Sequence, residues 1–327
     1  MGTTRCAKTT VGSVAIVPRF RAGIDENGLG ASLGPLVITA VVAEVTERGA
    51  RNIARWGSRS AAPLLGDSKQ LIRHGNVRLG EAWARTLSPK PAAKPLELLE
   101  QLSSVPVAKL MARCPRIAVS QCWQAGHDEF LADDELIDQV RGEIERLERL
   151  GIRPCRVSSR LVCTDELNAR GQLGENRFLV DLHCMEELID SMLTSSQHPL
   201  GIVCGKVGGM HDYTRHFNLL GSKSPTVISE SKKCSVYEIA DVAEIKFLRD
   251  ADSVDPLVML ASLVGKYLRE LFVSRIGSHF SDLISNIRKP SGYHDTVTKD
   301  FIKATGKYRH QVAFPISCFE RTGPREP

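Results

Sequence analysis

The sequence has no Cys-x-x-Cys pair among its nine cysteines, so it shows no framework for a structural zinc ion. The cysteines are odd in number and no signal peptide precedes them, so we expect reduced thiols in a cytoplasmic protein. No run of about 18 uncharged apolar residues occurs, and a membrane-spanning helix is therefore not predicted. Internal repeats and low-complexity tracts are also lacking. An ordinary globular protein remains.

The excess of basic over acidic residues is small. The 327 residues are 42% hydrophobic and 25% charged, with a formal net charge of +5. This composition is typical of one large domain or two modest ones with a sizeable core. The charge is compatible with nucleic acid but too mild to indicate it alone. The basic clusters at 51–59, 229–233 and 303–310 are each typical of a solvated surface.

Short runs of β-branched residues near the N-terminus predict the strands of one sheet. They cover residues 11–20, 22–25 and 35–45, separated by proline and glycine. Residues 159–163 and 201–204 predict further strands, and 236–248 predicts strand or helix. Apolar spacing predicts helices over 73–87, 96–112, 133–150, 175–194 and 257–273. Strands with helices packed on their faces indicate an α/β layered domain.

Two adjacent carboxylates, Asp25 and Glu26, end a short apolar run and are followed by Gly28, Gly30 and Gly34. An ordinary solvated turn uses the same residue types. The alternative is a strand that delivers acids into a site, after which the backbone approaches a bulky, negatively charged ligand. Carboxylate oxygens are the ligands that hard divalent cations prefer.

A second segment, GDSKQL at 66–71, combines a helix start with a lysine. Asp67 or Ser68 is suited to cap the helix, and Lys69 would lie at its positively polarised end, where phosphate is favoured. The alternative is a plain helix cap, which would explain Asp67 and Ser68 but not the lysine in the first turn.

Two later segments add acidic, basic and aromatic residues. Asp252 precedes the apolar helix predicted over 257–273, on which Lys266 and Arg269 share one face and could hold a phosphate. A solvated charged face is the alternative. The Gly292-Tyr293 pair precedes a short helix and a basic cluster.

In this order, the four segments resemble the type 2 ribonuclease H family. The family's first motif, close to GIDEAGRGPLAGPV, is here GIDENGLGASLGPLV, and its DSKKL motif is here DSKQL. Asp252 before ASLVGKYLRE matches the acid before an ASILAKVTRD-like helix, and Gly292-Tyr293 matches the closing Gly-Tyr. The resemblance is dense over 21–75, 175–215 and 245–315.

The resemblance implies a ribonuclease H-like mixed β-sheet flanked by helices, with a helical C-terminal region from about residue 270. It implies an N-terminal segment over 1–20 and one such domain over 21–327, in which about 80–165 is an insertion or a diverged region. The implied activity is hydrolysis of RNA in RNA/DNA hybrids, or of ribonucleotides embedded in DNA. We expect a monomer that requires Mg²⁺ or Mn²⁺.

The family positions also imply residue roles. Asp25, Glu26 and Asp252 are expected to be catalytic and to ligate the metal. Tyr293 would stack on or near the sugar beside the cut. The residues expected to bind substrate are Gly28, Gly30, Lys69, Lys206, Lys266 and Tyr293. Lys206 stands in the glycine run 205–209, which is either a mobile loop or a close approach to a phosphate.

Two positions depart from the family pattern. Leu29 replaces the Arg of the Gly-Arg-Gly motif that grips ribose 2′-hydroxyls, and Cys204 stands where the family has its third carboxylate. A thiol favours softer metals than Mg²⁺. These departures favour two alternatives, a nucleic-acid-binding protein that has lost turnover and a related metal-dependent nuclease that cuts DNA or structured RNA.

Other acids lie near the position of Cys204 in the sequence. Those that could supply the missing oxygen are Asp181, Glu186, Glu187 and Asp212, and none is in register with the family. His183 and Glu187 also share a helix face at i, i+4, which is either a metal pair or an ordinary surface or core face.

Overall fold

A computed structural model of the protein describes residues 18–58, 63–112 and 128–322. Seven strands occur among them: β1 (Phe20–Asn27), β2 (Leu36–Val45), β3 (Ile152–Val162), β4 (Leu200–Gly205), β5 (Thr226–Ser229), β6 (Cys234–Ile239) and β7 (Ala243–Leu248). Most of the strand predicted over 11–20, and the end of the basic cluster at 51–59, lie outside the described residues.

Ten α-helices are described in the same ranges. They are α1 (Glu47–Ile53), α2 (Ser68–Leu71), α3 (Arg78–Leu87), α4 (Pro95–Leu102), α5 (Val107–Met111), α6 (Asp134–Arg149), α7 (Thr164–Gln172), α8 (Arg177–Ser195), α9 (Pro256–Ser281) and α10 (Thr296–Gln311). The helices predicted over 133–150 and 175–194 are confirmed as α6 and α8. Asp133 and Asn176 cap them by accepting hydrogen bonds from first-turn amides.

The seven strands form one mixed sheet in the order β3-β2-β1-β4-β7-β6-β5. β1 pairs antiparallel with β2 and parallel with β4, and β4 pairs parallel with β7. The other neighbours are antiparallel. The predicted fold class, a mixed sheet flanked by helices, is confirmed. The three parallel strands β1, β4 and β7 end at the same edge of the sheet.

One face of the sheet packs against α9, with α3 and α6 beyond it. Gly23 of β1 allows this close approach, because a Cβ there would lie 2.3 Å from the backbone of Leu257 and Val258. α9 is longer than its apolar spacing predicted, and Asp255 caps it through the amides of Leu257 and Val258.

The opposite face packs against α8. Ile24 of β1 and Cys204 of β4 are paired in register and lie in the core that α8 covers with residues such as Val180 and Met185. Side chains alternate along a strand, so Glu26 is directed to the same face as Ile24. The two cores therefore place Gly23 and Asp25 on the α9 side, and Ile24 and Glu26 on the α8 side.

Several predicted boundaries are wrong. The single helix predicted over 96–112 is two helices, α4 and α5, because the chain turns at 103–106 and Pro106 starts the second. The ambiguous segment 236–248 is the β6–β7 hairpin, in which Asp241 has a φ of 59°. The strand predicted over 159–163 begins at Ile152. Within the region 80–165, β3 is an edge strand of the sheet and α6 covers one of its faces.

A third apolar cluster joins the C-terminal part of the chain to the loop after β1. Phe280 of α9, Phe301 of α10 and Phe319 pack around Leu33. Among the described helices, none combines the length and apolar character that a membrane span requires.

Candidate active site

A cleft of about 860 Å³ lies where the parallel strands β1, β4 and β7 end. Residues that follow parallel strands meet at one sheet edge, which is a common place for ligand sites. All nine residues predicted to be catalytic or to bind substrate line this cleft: Asp25, Glu26, Gly28, Gly30, Lys69, Lys206, Asp252, Lys266 and Tyr293. The structure thus brings together residues from five distant segments, and their individual roles stay predictions.

Asp25 lies on the floor of the cleft and is 8% exposed. A Cβ at Gly205 would be 2.7 Å from its Oδ1, so the glycine leaves room for the carboxylate beside β4. Burial raises the pKa of Asp25 well above its usual range, and the charge of Glu26 adds to this effect. A hydrogen bond with the Ser262 side chain lowers the pKa in part.

Burial raises the pKa of Glu26 to about 8, and the next largest cause is the charge of Asp181. Asp25 and Glu26 face opposite layers of the sheet, yet both are held in an environment that disfavours a bare negative charge. A cation near both carboxylates would stabilise their ionised forms.

Asp252 follows β7 and is the partner of Lys69. The Lys69 Nζ lies 3.4 Å from the Asp252 Oδ2, and the Asp252 side chain is 15% exposed. The charge of Asp252 is the main reason why the pKa of Lys69 is raised. Asp67 caps α2 by accepting from the Lys69 amide, which fixes the lysine in the first turn as predicted.

The other two lysines bind the protein's own backbone. Lys266 donates from Nζ to the carbonyl oxygens of Ser68, at 3.0 Å, and Ile72, at 2.6 Å. Lys206 donates to the Ser231 carbonyl at 2.6 Å and to the Ser235 hydroxyl. Burial lowers the pKa of both lysines. Lys266 therefore anchors α2, which carries Lys69, to α9.

Tyr293 is 43% exposed at the rim, and its ring lies 4.2 Å from the Arg269 guanidinium carbon. Arg269 is buried and donates to Glu270 and to the Ser291 carbonyl. The prediction that Arg269 holds a phosphate is wrong, because the guanidinium lies under Tyr293 and is not at the cleft surface. Gly28 makes room for it, since a Cβ there would be 2.7 Å from the Arg269 Nε.

Arg321 is a residue that the sequence did not indicate. Its guanidinium is 5% exposed and donates to the Gly34 carbonyl from Nε at 3.0 Å and from Nη2 at 2.8 Å. Its Nη1 donates to the Gly28 carbonyl. Burial lowers the pKa of Arg321 well below its usual range, and Arg269 and Arg177 add to this effect. Arg321 thus joins both ends of the glycine loop at 28–34, in which Leu29 packs partly into the α8 core.

Three further basic or titratable residues line the cleft. They are His211, Lys232 and Arg249, of which only Lys232 belongs to a cluster that the sequence analysis named, the basic cluster at 229–233. Together with Lys69 and Lys206 they give the cleft a mainly basic rim around an acidic floor, although the exposed Asp250 also lines it. A phosphodiester backbone is attracted by such a rim.

Cys204 is fully buried beneath the cleft. Burial raises the pKa of its thiol, and the charges of Asp181 and Asp25 add to this effect. Its side chain offers sulfur and no carboxylate oxygen, and sulfur ligands favour softer metals than Mg²⁺. Cys204 therefore does not substitute for a carboxylate.

Three of the four acids considered as replacements already have partners. Glu186 accepts backbone amides from the loop that follows β4, Glu187 accepts from Arg160 at 2.7 Å, and Asp212 pairs with Arg215 at 2.8 Å. These contacts give each of the three a structural role.

The interpretation of His183 and Glu187 as a metal pair is wrong. The His183 Nδ1 contacts Arg170 and its Nε2 contacts the His216 carbonyl, while Glu187 is paired with Arg160. Both side chains are used in packing α8 against its neighbours.

The chemistry of the floor fits a hard divalent cation. Asp25, Glu26 and Asp252 offer carboxylate oxygens, and in the described part of the chain Lys69 makes the one ion pair to any of them. As the side chains stand, no three His, Cys, Asp or Glu residues in 18–58, 63–112 and 128–322 converge as a metal site. A cation bound at the floor would therefore require these side chains to move closer together.

The solved structures to which this chain is similar include ribonucleases HII and HIII. RNase HII of Archaeoglobus fulgidus, from its complex with PCNA, is 16% identical, with 94% of this chain and 96% of that chain covered and a TM-score of 0.42. Ribonuclease H2 from Pyrococcus horikoshii OT3 is 16% identical, with 92% of each chain covered and a TM-score of 0.40. Bst-RNase HIII in complex with Mn²⁺ is 13% identical, with 94% of this chain and 67% of that chain covered and a TM-score of 0.41. No family model and no curated protein matches the sequence.

Proposed function

We propose that the protein is a divalent-metal-dependent endonuclease that hydrolyses RNA in RNA/DNA hybrids or ribonucleotides embedded in DNA. The observation that carries the proposal is the cleft itself, in which Asp25, Glu26 and Asp252 form an acidic floor inside a basic rim. The motif order of the sequence supports the ribonucleotide-containing substrate.

Mg²⁺ or Mn²⁺, when bound, would polarise the phosphate and supply an activated water. Asp25, Glu26 and Asp252 would hold the cation. The raised pKa values of Asp25 and Glu26 suit this role, because both groups gain a counter-charge only when the cation binds.

The rim would position the nucleic acid. Lys69 would turn from Asp252 to a phosphate once the cation neutralises that acid, since its side chain is largely exposed. Gly30 has no atom within 4 Å of the place of a Cβ, so a backbone or sugar can approach it closely. Tyr293, braced from below by Arg269, would stack on the sugar next to the cut.

A nucleic-acid-binding protein without turnover is the second candidate function. The observation that favours it is Cys204, whose buried side chain offers no oxygen to a metal. Leu29, which presents no guanidinium to a 2′-hydroxyl, favours a nuclease of altered specificity.

Cleavage of three labelled substrates tests the proposal: an RNA/DNA hybrid, a DNA duplex with one ribonucleotide, and a plain DNA duplex. We expect metal-dependent cutting of the first two, lost in Asp25→Asn and retained in Asp190→Asn, which changes an acid of α8 that is paired with Lys223 outside the cleft. Tight binding without cutting would favour the binding protein, and cutting of plain DNA would favour altered specificity.

A further inference from the structure

Asp181 is an unusual buried carboxylate. It lies on α8 and is 0% exposed, and neither of its oxygens has a hydrogen-bond partner among the described residues. No other carboxylate in the described ranges has both oxygens buried and unpaired. An isolated carboxylate in such a place costs several kcal/mol unless it is protonated or meets a cation.

The surroundings of Asp181 are the acids of the cleft floor. The charge of Asp25 adds to the burial that raises the pKa of Asp181, and the charge of Asp181 in turn contributes to the raised pKa values of Glu26 and of the Cys204 thiol. Cys204 and Glu26 belong to the sheet face that α8 covers, so Asp181 reaches the floor from the helix layer below. Arg160 of β3 is paired with Glu166 and Glu187, and Arg170 of α7 is paired with Glu175.

We propose that Asp181 is a further metal ligand, which supplies an oxygen from α8 to the divalent cation held by Asp25 and Glu26. This inference rests on the proposed metal-dependent function. Asp25, Glu26 and Asp181 would then each offer a carboxylate oxygen to the cation, in addition to Asp252 of the same floor. Glu186, Glu187 and Asp212 differ from Asp181 in that each already has a hydrogen-bond or ion-pair partner.

Metal binding by the purified protein tests the inference without an activity assay. Mn²⁺ and Mg²⁺ would be titrated calorimetrically into the unaltered protein and into Asp181→Asn, Asp25→Asn and Asp190→Asn. We expect Asp181→Asn to weaken Mn²⁺ binding by about 10-fold or more, Asp25→Asn to abolish it, and Asp190→Asn to leave it unchanged. Asp181→Ala, which removes both oxygens, is the second variant if the asparagine does not fold, and the same loss is expected.

Thermal unfolding without metal separates a ligand from a structural residue. Asp181→Asn should unfold at a temperature at least as high as the unaltered protein, since it loses no hydrogen bond. A lower unfolding temperature with unchanged Mn²⁺ affinity would overturn the inference. If Asp181→Asn binds Mn²⁺ as the unaltered protein does while Asp25→Asn does not, the inference fails and the proposed function stands. If the unaltered protein binds neither metal, both fail.

Discussion

Replacing Arg321 by methionine should loosen the glycine loop at the cleft. The substitution keeps an apolar stem and removes the donors to the Gly28 and Gly34 carbonyls. A hydrogen bond to a charged group contributes about 1.5 to 3 kcal/mol, and burying the guanidinium offsets part of the total. We therefore expect the free energy of unfolding to fall by about 2 to 4 kcal/mol. With about 2 cal/mol/K of unfolding entropy per residue, Tm should fall by about 3 to 6 °C.

Urea denaturation with a linear extrapolation measures this loss, and Arg288→Met is the matched control. Arg288 is 70% exposed in a 3.8 Å pair with Asp300, so its loss should cost about 0.5 kcal/mol or less. Amide hydrogen exchange should also rise selectively at residues 28–34. A loss below about 1 kcal/mol for Arg321→Met, or unchanged exchange in the loop, would refute the reasoning.

Other consequences of the structure can be tested in the same way. Gly23→Ala should lower the free energy of unfolding, measured in urea, by at least about 2 kcal/mol, because its Cβ would meet the backbone of α9. Gly142→Ala on α6 meets no other atom and should raise the free energy of unfolding by about 0.5 to 1 kcal/mol. Changes of the same sign in the two variants would contradict this expectation. The pKa of Glu26 is raised to about 8 from about 4.5, so its contribution to the stability of the metal-free protein is full below pH 4.5 and is lost as pH rises through 8. Denaturation at pH 5.5, 7 and 8.5 should show this decline, and a Glu26→Gln variant with the same slope would count against it. Lys266→Met should cost about 1 to 3 kcal/mol, because the carbonyls that anchor α2 lose their donor, and an unchanged midpoint would show that this anchor is dispensable.

The sequence predicted correctly those helices and strands whose formation depends on neighbouring residues alone. The apolar spacing of α8 and the strand character of β2 needed no knowledge of distant residues. The region 96–112 was predicted as one helix because its leucine spacing is continuous, although Pro106 marks the break. The segment 236–248 stayed ambiguous between strand and helix, because the turn at Asp241 that separates its two strands is only weakly indicated by the sequence.

The candidate site was predictable to the extent that it consists of motifs at strand ends and helix starts. Asp25 and Asp252 both follow strands, and their meeting depends on the parallel pairing of β1, β4 and β7, which the family resemblance implied. The burial and the hydrogen-bond partners of Asp181 and Arg321 depend on contacts between distant parts of the fold. The sequence offered Asp181 as one of four acids, and only the partners of the other three distinguish it.

The contact between Arg321 and the Gly28 carbonyl spans 293 positions of the chain. During synthesis, the strand that carries Asp25 and the loop after it emerge long before Arg321, their guanidinium partner. Contacts of such long sequence separation form late and slow the folding reaction. The glycine loop would thus be shaped only after the sheet and both helix layers are in place. A nascent chain would not present a finished cleft to nucleic acid.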